Sequence, residues 1–446
     1  MANRLIGIFR VKELRERILF TSLMLVVFRL GAFIPIPGVN AQVLNSYFES
    51  IRSQGTSSNA IVDYLDFFAG GAFSNFSVFM LGIMPYISMS IIMQLLIIVF
   101  PKLKKISQEE GGRKRIQKYQ RIGTVGVCLI QSFAVTQYAQ SISRSVDNLL
   151  SINILPFTLL AMITVTTGTI FLMWIGEQIT KRGIGNGISL LIFAGIVARL
   201  PTAIWELFQR VRNGDLNLVF VVVVFAMFVA VVTLVVFEQQ GQRKIPVNYA
   251  RRIVGRRMYG GAPNAFIPFK INPSGVIPVI FASSILTFPL QIAQTIGQSV
   301  SWLNFLSRAL TPNGTMYNLF YVLLIVFFAY FYTQVTLNPI EIAKNIRENG
   351  GSIPGIRSEK LEEYLTRILN RIVLPGSLYL AGIAVLPSLI QYLFNFPTSI
   401  SYLMGGTSLL IMVGVDLDTM SQIEALLKMH HQEGLTKKGR LRGRNL

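Results

Sequence analysis

The stretch LNLVFVVVVFAMFVAVVTLVVF, Leu216 to Phe237, carries no charged residue at all. A membrane helix needs about 20 mostly apolar residues, and this run meets that length. A strand of a membrane barrel would read as a shorter, alternating segment, so the run predicts a spanning helix. The rest of the chain has the same character. Of its 446 residues 52% are hydrophobic and only 14% are charged, against roughly 25% charged in an ordinary soluble domain. Mean hydropathy is +0.53. The length alone would allow two soluble domains, but this composition excludes them. It equally excludes a disordered basic protein, which lacks the apolar content.

Nine further segments read as spans, which gives ten at roughly 18–37, 76–100, 121–140, 154–177, 184–204, 216–237, 274–293, 315–338, 372–392 and 401–421. The weakest is 184–204, which is Gly-rich and ends near Arg199 and Pro201. The expected fold class is therefore an all-α integral membrane protein. Residues 1–17 carry five basic side chains and no small-residue cleavage site. They read as an amphipathic lead-in on the cytoplasmic face rather than as a signal peptide. The single cysteine, Cys128, and the two adjacent histidines, His430 and His431, exclude a disulfide framework and a Cys- or His-based metal centre.

Loop charge sets the orientation. With the N-terminus inside, 34 of the 41 Lys and Arg residues fall on the cytoplasmic side and 6 outside, with Arg29 within the first span. An asymmetry of that size is what membrane insertion selects. The outside loops also hold Asp63, Asp66 and other acids, so the chain's net charge of +20 is a cytoplasmic excess. Two cytoplasmic loops, 238–273 and 339–371, are far longer than a connection requires. The first holds Arg243, Lys244, Arg251, Arg252, Arg256, Arg257 and Lys270, with no acid after Glu238. The insertion rule alone would explain basic loops. Their length also suits a large acidic partner or a nucleic acid.

Residues 63–75, DYLDFFAGGAFSN, break the pattern. They are apolar but too short to cross, with Gly70 and Gly71 in the middle. An ordinary re-entrant or interfacial loop is one reading. The other is a short helix lodged in a cavity, since irregular backbone at membrane depth needs protein or water around it. Spans two and seven share a second irregularity. LGIMPYISMSIIMQLL and NPSGVIPVIFASSILTFP each join Gly, Pro and Ser in an otherwise apolar run, and each is the second span of a five-span half. Such matched interruptions point to an inverted repeat with its active path at the interface. Ile83 and Ile87, like Ile192 and Ile196, are four residues apart and share a helical face. Isoleucine on a membrane helix is ordinarily packing or lipid contact, so the spacing alone assigns no role. The central parts of the spans hold no Asp, Glu, Lys or His, which leaves no ionisable relay of the kind proton-coupled carriers use. No phosphate-binding loop, nucleophile elbow or metalloprotease helix is present. No catalytic residue and no cofactor are expected.

Several longer motifs carry a family resemblance. RLGAFIPIPGVN (29–40), DYLDFFAGGAFSNFSVFMLGIMPYISMSIIMQLL (63–96), FLMWIGEQITKRGIGNGISLLIFAGI (171–196), GQRKIPVNYARR (241–252), NPIEIAKNIRENGGSIPGIR (338–357), RIVLPGSLYL (371–380) and GGTSLLI (405–411) together resemble bacterial-type members of the SecY family of protein-conducting channels. The resemblance implies two pseudo-symmetric inverted halves around a central pore, residues 1–209 and 210–421, followed by a basic cytoplasmic tail, 422–446. It implies a plug at about 63–75, including Asp66, Phe67, Phe68, Gly70, Gly71 and Phe73. An apolar pore ring would comprise Ile83, Ile87, Ile192, Ile196, Ile280 and Ile411. Such a ring excludes ions by dewetting and makes no sequence-specific bond to a passing chain. Spans two and seven would form a lateral gate, with Pro85, Ser88, Ser90, Pro278, Ser283 and Ser284 in its helices. Arg243, Lys244, Arg251, Arg252, Arg256, Arg257 and Arg357 would dock a motor or a ribosome. Implied partners are SecE-type and SecG-type subunits, the SecA motor ATPase, ribosomal RNA, signal sequences with their unfolded polypeptides, and the lipid bilayer. The implied location is the bacterial plasma membrane with both termini cytoplasmic.

Two other classes compete. A ten-span transporter of a small solute accounts for inverted halves and broken helices, but it predicts a polar site at the midplane. An intramembrane enzyme needs paired catalytic residues at membrane depth, and the sequence shows none.

Overall fold

The computed structural model describes residues 11–53, 66, 69–144, 146, 148–214, 218–249, 252–254, 257–259, 266–296, 314–394 and 406–438. Helix dominates them. In chain order the first helices are α1 Lys12–Gly31, α2 Ala41–Ser53, α3 Met84–Val99, α4 Pro101–Gln108, α5 Gly112–Ser143, α6 Ile154–Arg182, α7 Gly187–Arg212 and α8 Leu218–Gln240. There follow strands β1 Gln242–Pro246, β2 Asn248–Tyr249, β3 Arg252–Val254, β4 Arg257–Tyr259 and β5 Phe266–Lys270. The chain continues through α9 Ile277–Ile296, α10 Thr315–Thr336, α11 Pro339–Glu348, β6 Gly351–Ser352, α12 Leu361–Phe394 and α13 Thr407–Lys438. Every segment expected to span contains a helix. Among the described residues six helices are long and apolar enough to cross a membrane, or seven if the bent pair α3 and α4 counts as one.

Several boundaries differ from the sequence reading, each for a local reason. The first helix begins at Lys12, so part of the basic lead-in is continuous with the span, and it ends at Gly31 rather than at 37. The second spanning helix begins at Met84, not at 76, with Pro85 in its first turn, where a missing N–H costs nothing. It ends at Val99, and the next residue, Phe100, has an extended backbone (φ −102°, ψ 108°) ahead of Pro101. Proline disfavours the helical conformation in the residue before it, and the chain turns there by 103°. Within the stretch 63–75, expected to hold a short helix, Asp66 is helical, and residues 63–65, 67 and 68 lie outside the described residues. From Ala69 to Ile83 the chain is a succession of turns with one isolated bridge at Ser77. Gly70, Gly71 and Gly82 all have positive φ, and Phe76 adopts φ 42°, so no helix propagates through them.

The chain forms two compact units. The first contains Met1–Phe208, Gln291–Asn304 and Ile411–Leu446; the second contains Gln209–Leu290 and Phe305–Leu410. In the first unit α5 packs on α6 and α3, and α1 packs on α6. A charge cluster pins α5 to α6: Arg121 Nε donates to Glu177 Oε1 at 2.8 Å, and Gln117 Nε2 donates to the same oxygen at 3.3 Å. The turn between α6 and α7 is held from two sides. The Ile184 N–H donates to Thr21 Oγ1 of α1 at 3.1 Å, and the Gly185 N–H donates to Gln422 Oε1 of α13 at 2.9 Å. Leu14 and Ile184 form a small apolar core there with Ile423, Leu426 and Leu427.

In the second unit α10 packs on α12. The two long loops are regular structure rather than coil. β1 pairs antiparallel with β5, and β2 pairs with β6 across the gap between the loops. Asn338 caps α11, its side chain accepting the Ile340 N–H at 3.2 Å with Pro339 next in line. Ile245, Val247, Phe269, Ala343, Ile346, Ile353, Leu365 and Ile368 bury one another into a core of their own. By contrast, only 18% of the most apolar window of α8 is buried. Val222, Phe225, Leu234 and Phe237 lie on its exposed face, which is a surface for lipid and not for water.

Candidate functional site

The site grows from Asp66 and the turns between Ala69 and Ile83. Over Ala69–Ile83 no helix or strand satisfies the backbone, so its polar groups find partners one by one. The Gly71 N–H donates to the Asp66 carbonyl at 3.0 Å and the Ser77 N–H to the Ala72 carbonyl at 3.0 Å. The loop after α1 supplies two more bonds: Ile36 N–H to the Phe76 carbonyl at 2.8 Å, and Val78 N–H to the Ile34 carbonyl at 2.9 Å. Apolar packing completes the seat. Phe73 and Phe76 lie against Tyr138 of α5. Phe79 stacks between Phe28 of α1 and Phe171 of α6. Gly70 meets α7 without a side chain on either partner: a Cβ there would lie 2.7 Å from the Cα of Gly195.

Charge secures the same segment. The Asp66 carboxylate is ion-paired with the Arg199 guanidinium of α7, with side-chain exposures of 6% and 20%. Asp66 Oδ1 also accepts the Ser74 N–H at 2.8 Å. Arg29 Nη1 of α1 donates to the Gly70 carbonyl at 2.8 Å, and its guanidinium lies 5.1 Å from the centre of the Phe33 ring. Both arginines line a cavity of about 260 Å³ beside the segment. Arg199, expected near the end of the span 184–204, lies well inside α7, which runs on to Arg212. Neither that pairing nor Gly195 was anticipated. The available signal was an acid in the short apolar segment and a lone arginine at the end of the weakest span, with nothing local to join them.

The anticipated ring residues fall as follows. Ile83 is the residue just before α3, and Ile87, in the first turn, donates its N–H to the Ile83 carbonyl at 3.2 Å. Ile83, Ile87, Ile192, Ile196 and Ile411 are buried in the first unit. Ile280 belongs to α9 in the second unit and is half-buried. Of the anticipated plug residues, Asp66, Gly70, Gly71 and Phe73 stand in the seat just described, while Phe67 and Phe68 lie outside the described residues. Of the anticipated gate residues, Pro85 is buried and Ser88 and Ser90 are half-buried on α3. On α9, Pro278 is buried. The Ser283 and Ser284 hydroxyls both donate to the Ile280 carbonyl, at 2.9 and 2.8 Å, so their own helix satisfies them.

Among the anticipated docking residues, Arg243 and Lys244 are exposed on β1, where Lys244 Nζ sits 4.8 Å from the centre of the Phe266 ring. Arg252 and Arg257 lie in the paired strands β3 and β4. Arg251 and Arg256 lie outside the described residues. Arg357 is exposed just ahead of the short 3-10 helix Ser358–Lys360.

Apolar spans around an irregular, charge-tethered segment, with a folded basic module on the loops, define the class: an all-α membrane channel. Comparison with known proteins narrows it. The SecY family model matches residues 77–420. Protein translocase subunit SecY of Borreliella burgdorferi is 45% identical, over 96% of each chain. The same subunit of Escherichia coli is 43% identical over 97% of this chain and 96% of the relative. Among solved structures, a protein-conducting channel superposes with a TM-score of 0.65 at 19% identity over 92% of each chain. Sec61 from the canine ribosome-channel complex of the endoplasmic reticulum superposes at 0.61 with 17% identity, again over 92% of each. These structures share the fold. The chain belongs to the SecY family: it is a membrane-embedded channel subunit of a protein translocase, and it is not an enzyme. The relatives give no support to a small-solute transporter.

Proposed function

We propose that this chain is the polypeptide conduit itself, closed at rest by the segment around Asp66–Asn75 and constricted by Ile83, Ile87, Ile192, Ile196, Ile280 and Ile411. The observation that carries the reading is the seat of the segment. Irregular backbone lodged among spanning helices is tolerated where protein or a water-filled path surrounds it. This segment lies against Gly195, one residue before Ile196, and is held by an ion pair and individual hydrogen bonds rather than by a continuous ladder. An isoleucine ring suits cargo of arbitrary sequence, since it dewets when empty and offers no specific bond.

The remaining assignments follow the family pattern. Residues 1–209 and 210–421 act as two halves that part, with 422–446 as a basic tail. The helices carrying Pro85, Ser88, Ser90 and Pro278, Ser283, Ser284 separate to pass signal sequences and membrane segments into lipid. The internally bonded serines on α9 support this, because moving that helix strands no hydroxyl. The module of β1–β6 and α11, with Arg243, Lys244, Arg251, Arg252, Arg256, Arg257 and Arg357, receives the SecA motor or ribosomal RNA, its exposed cations being suited to phosphate. SecE-type and SecG-type subunits complete the complex in the bacterial plasma membrane, with both termini cytoplasmic.

The test is a photo-crosslinking residue at Ile87, and separately at Ile192, in membranes holding a stalled secretory chain. Adducts from both positions to the translocating segment, absent with a signal-less control, are expected. No adduct from a correctly inserted protein would overturn the conduit.

A further inference from the structure

We propose that Asp66, Arg199 and Arg29 form an electrostatic latch that sets how strong a signal must be to open this channel. The inference rests on the reading that the Asp66–Asn75 segment closes the conduit, and it names what holds the segment shut. Its parts come from three places in the chain. Two cations stand on helices, Arg29 on α1 and Arg199 on α7, and both hold the segment, one through the Asp66 carboxylate and one through the Gly70 carbonyl.

The pair is placed where charge matters. Asp66 is almost wholly shielded from solvent and Arg199 largely so. Removing one partner of such a pair leaves the other uncompensated at low dielectric, so a single neutralisation is expected to be felt in full. Removing both leaves no stranded charge. Arg199 Nη2 also reaches Ser74 Oγ at 3.4 Å, and Ser74 returns its N–H to Asp66, so the bonds close a small ring around the pair. The glycines make this geometry possible. Gly70 at φ +65° lays the backbone on Gly195, and Gly71 at φ +93° lets the chain pass the Arg199 guanidinium. A Cβ at either position would be strained or crowded.

The adjoining cavity gives the latch its open state. Arg29, Phe33, Gly71, Ser74, Arg199 and Thr202 are among its walls. When the segment departs, water entering this space can solvate both guanidinium groups. Opening therefore trades an ion pair for hydrated arginines, a finite threshold that a strong signal sequence exceeds and a weak one does not.

The experiment uses the complete translocase complex, reconstituted in planar bilayers for resting ion conductance and assayed in cells for export of a reporter with a weakened signal. The variants are Arg199→Gln, Asp66→Asn, the two together, Arg199→Lys, and a deletion of residues 63–75. Each single neutralisation is expected to raise the open fraction on the order of tenfold or more and to admit the weakened signal. Arg199→Lys should stay near the parent. The double neutralisation should open no more than either single, the mark of a coupled pair. If the deletion opens the channel and neither neutralisation does, the latch is wrong and the closing segment stands. If the deletion also leaves conductance unchanged, the closing segment itself falls. If the two neutralisations simply add, the residues act separately and the latch is overturned. Recovery of each variant complex at parental yield separates gating from misfolding.

Discussion

The turns from Ala69 to Ile83 and the strands from Gln242 to Lys270 both lie in connections between apolar helices, and they satisfy their backbones in opposite ways. The strands use a repeating ladder: β1 and β5 pair residue for residue, from Gln242 with Lys270 to Pro246 with Phe266. Alternation turns Ile245 and Phe269 into a core and leaves Gln242, Lys244 and Pro246 exposed on the other face, while Arg243, on the core's face opposite Phe269, is exposed at its edge. The turns have no ladder. Their N–H and C=O groups are taken up by one another, by the loop at Ile34–Ile36, by Asp66 and by Arg29. A strand pair with one wet face needs only the right alternation. A segment enclosed among spanning helices must find each partner individually, so it depends on particular glycines and particular charges. The ladder holds the strands by a repeating set of bonds, whereas the turns are held by separate, individual ones.

That contrast can be broken from either side. The largest effect is expected in the strand module. Phe269→Ala removes a buried ring from its core at a cost of about 3–5 kcal/mol. Limited proteolysis in membranes should then cut within 238–273, and motor-driven translocation should fall, while resting conductance stays at the parental level. A rise in conductance would show that the two regions are not separable.

A smaller effect of opposite kind is expected at Gly70→Ala. A non-glycine residue at φ +65° costs about 1–3 kcal/mol, and the new methyl meets the Gly195 backbone. Resting conductance should rise and the proteolytic pattern of the loops should not change. If the variant stays sealed, the close approach to α7 contributes nothing to closure.

Least of all should folding respond to Arg243→Ala with Lys244→Ala. Both side chains are exposed, so stability should move by no more than about 0.5 kcal/mol. Binding to ribosomes or motor should nonetheless weaken, and its dependence on salt should become shallower, because fewer counterions are released. An unchanged salt slope would remove these two residues from the docking surface.

Much of this was legible in the sequence because bilayer thickness acts on runs of about twenty residues. The uninterrupted apolar stretch at 216–237 could be nothing other than the helix that the structure shows at Leu218–Gln240. Short-range devices were only partly legible. Gly70 and Gly71 marked the segment as irregular, yet the start of α3 at Met84 depended on Gly82 and Phe76 adopting positive φ, which no periodicity records. The proline at Pro101 marks the end of the span in the sequence, but the size of the turn, 103°, is set by packing and is not encoded locally. Long-range pairings were not legible at all. Asp66 and Arg199 are 133 positions apart, and the ladder of β2 with β6 joins two loops that the sequence presents separately.

The central claim is that the Asp66–Asn75 segment must leave its seat for a polypeptide to pass. It is tested most directly by tethering that segment to α7. Asp66→Cys and Arg199→Cys would be joined by a thiol-reactive spacer with a cleavable bond, and passage of a secretory precursor through the reconstituted complex measured before and after cleavage. The account predicts that the tether blocks translocation and that cleavage restores it. Equal translocation with the tether intact would contradict it.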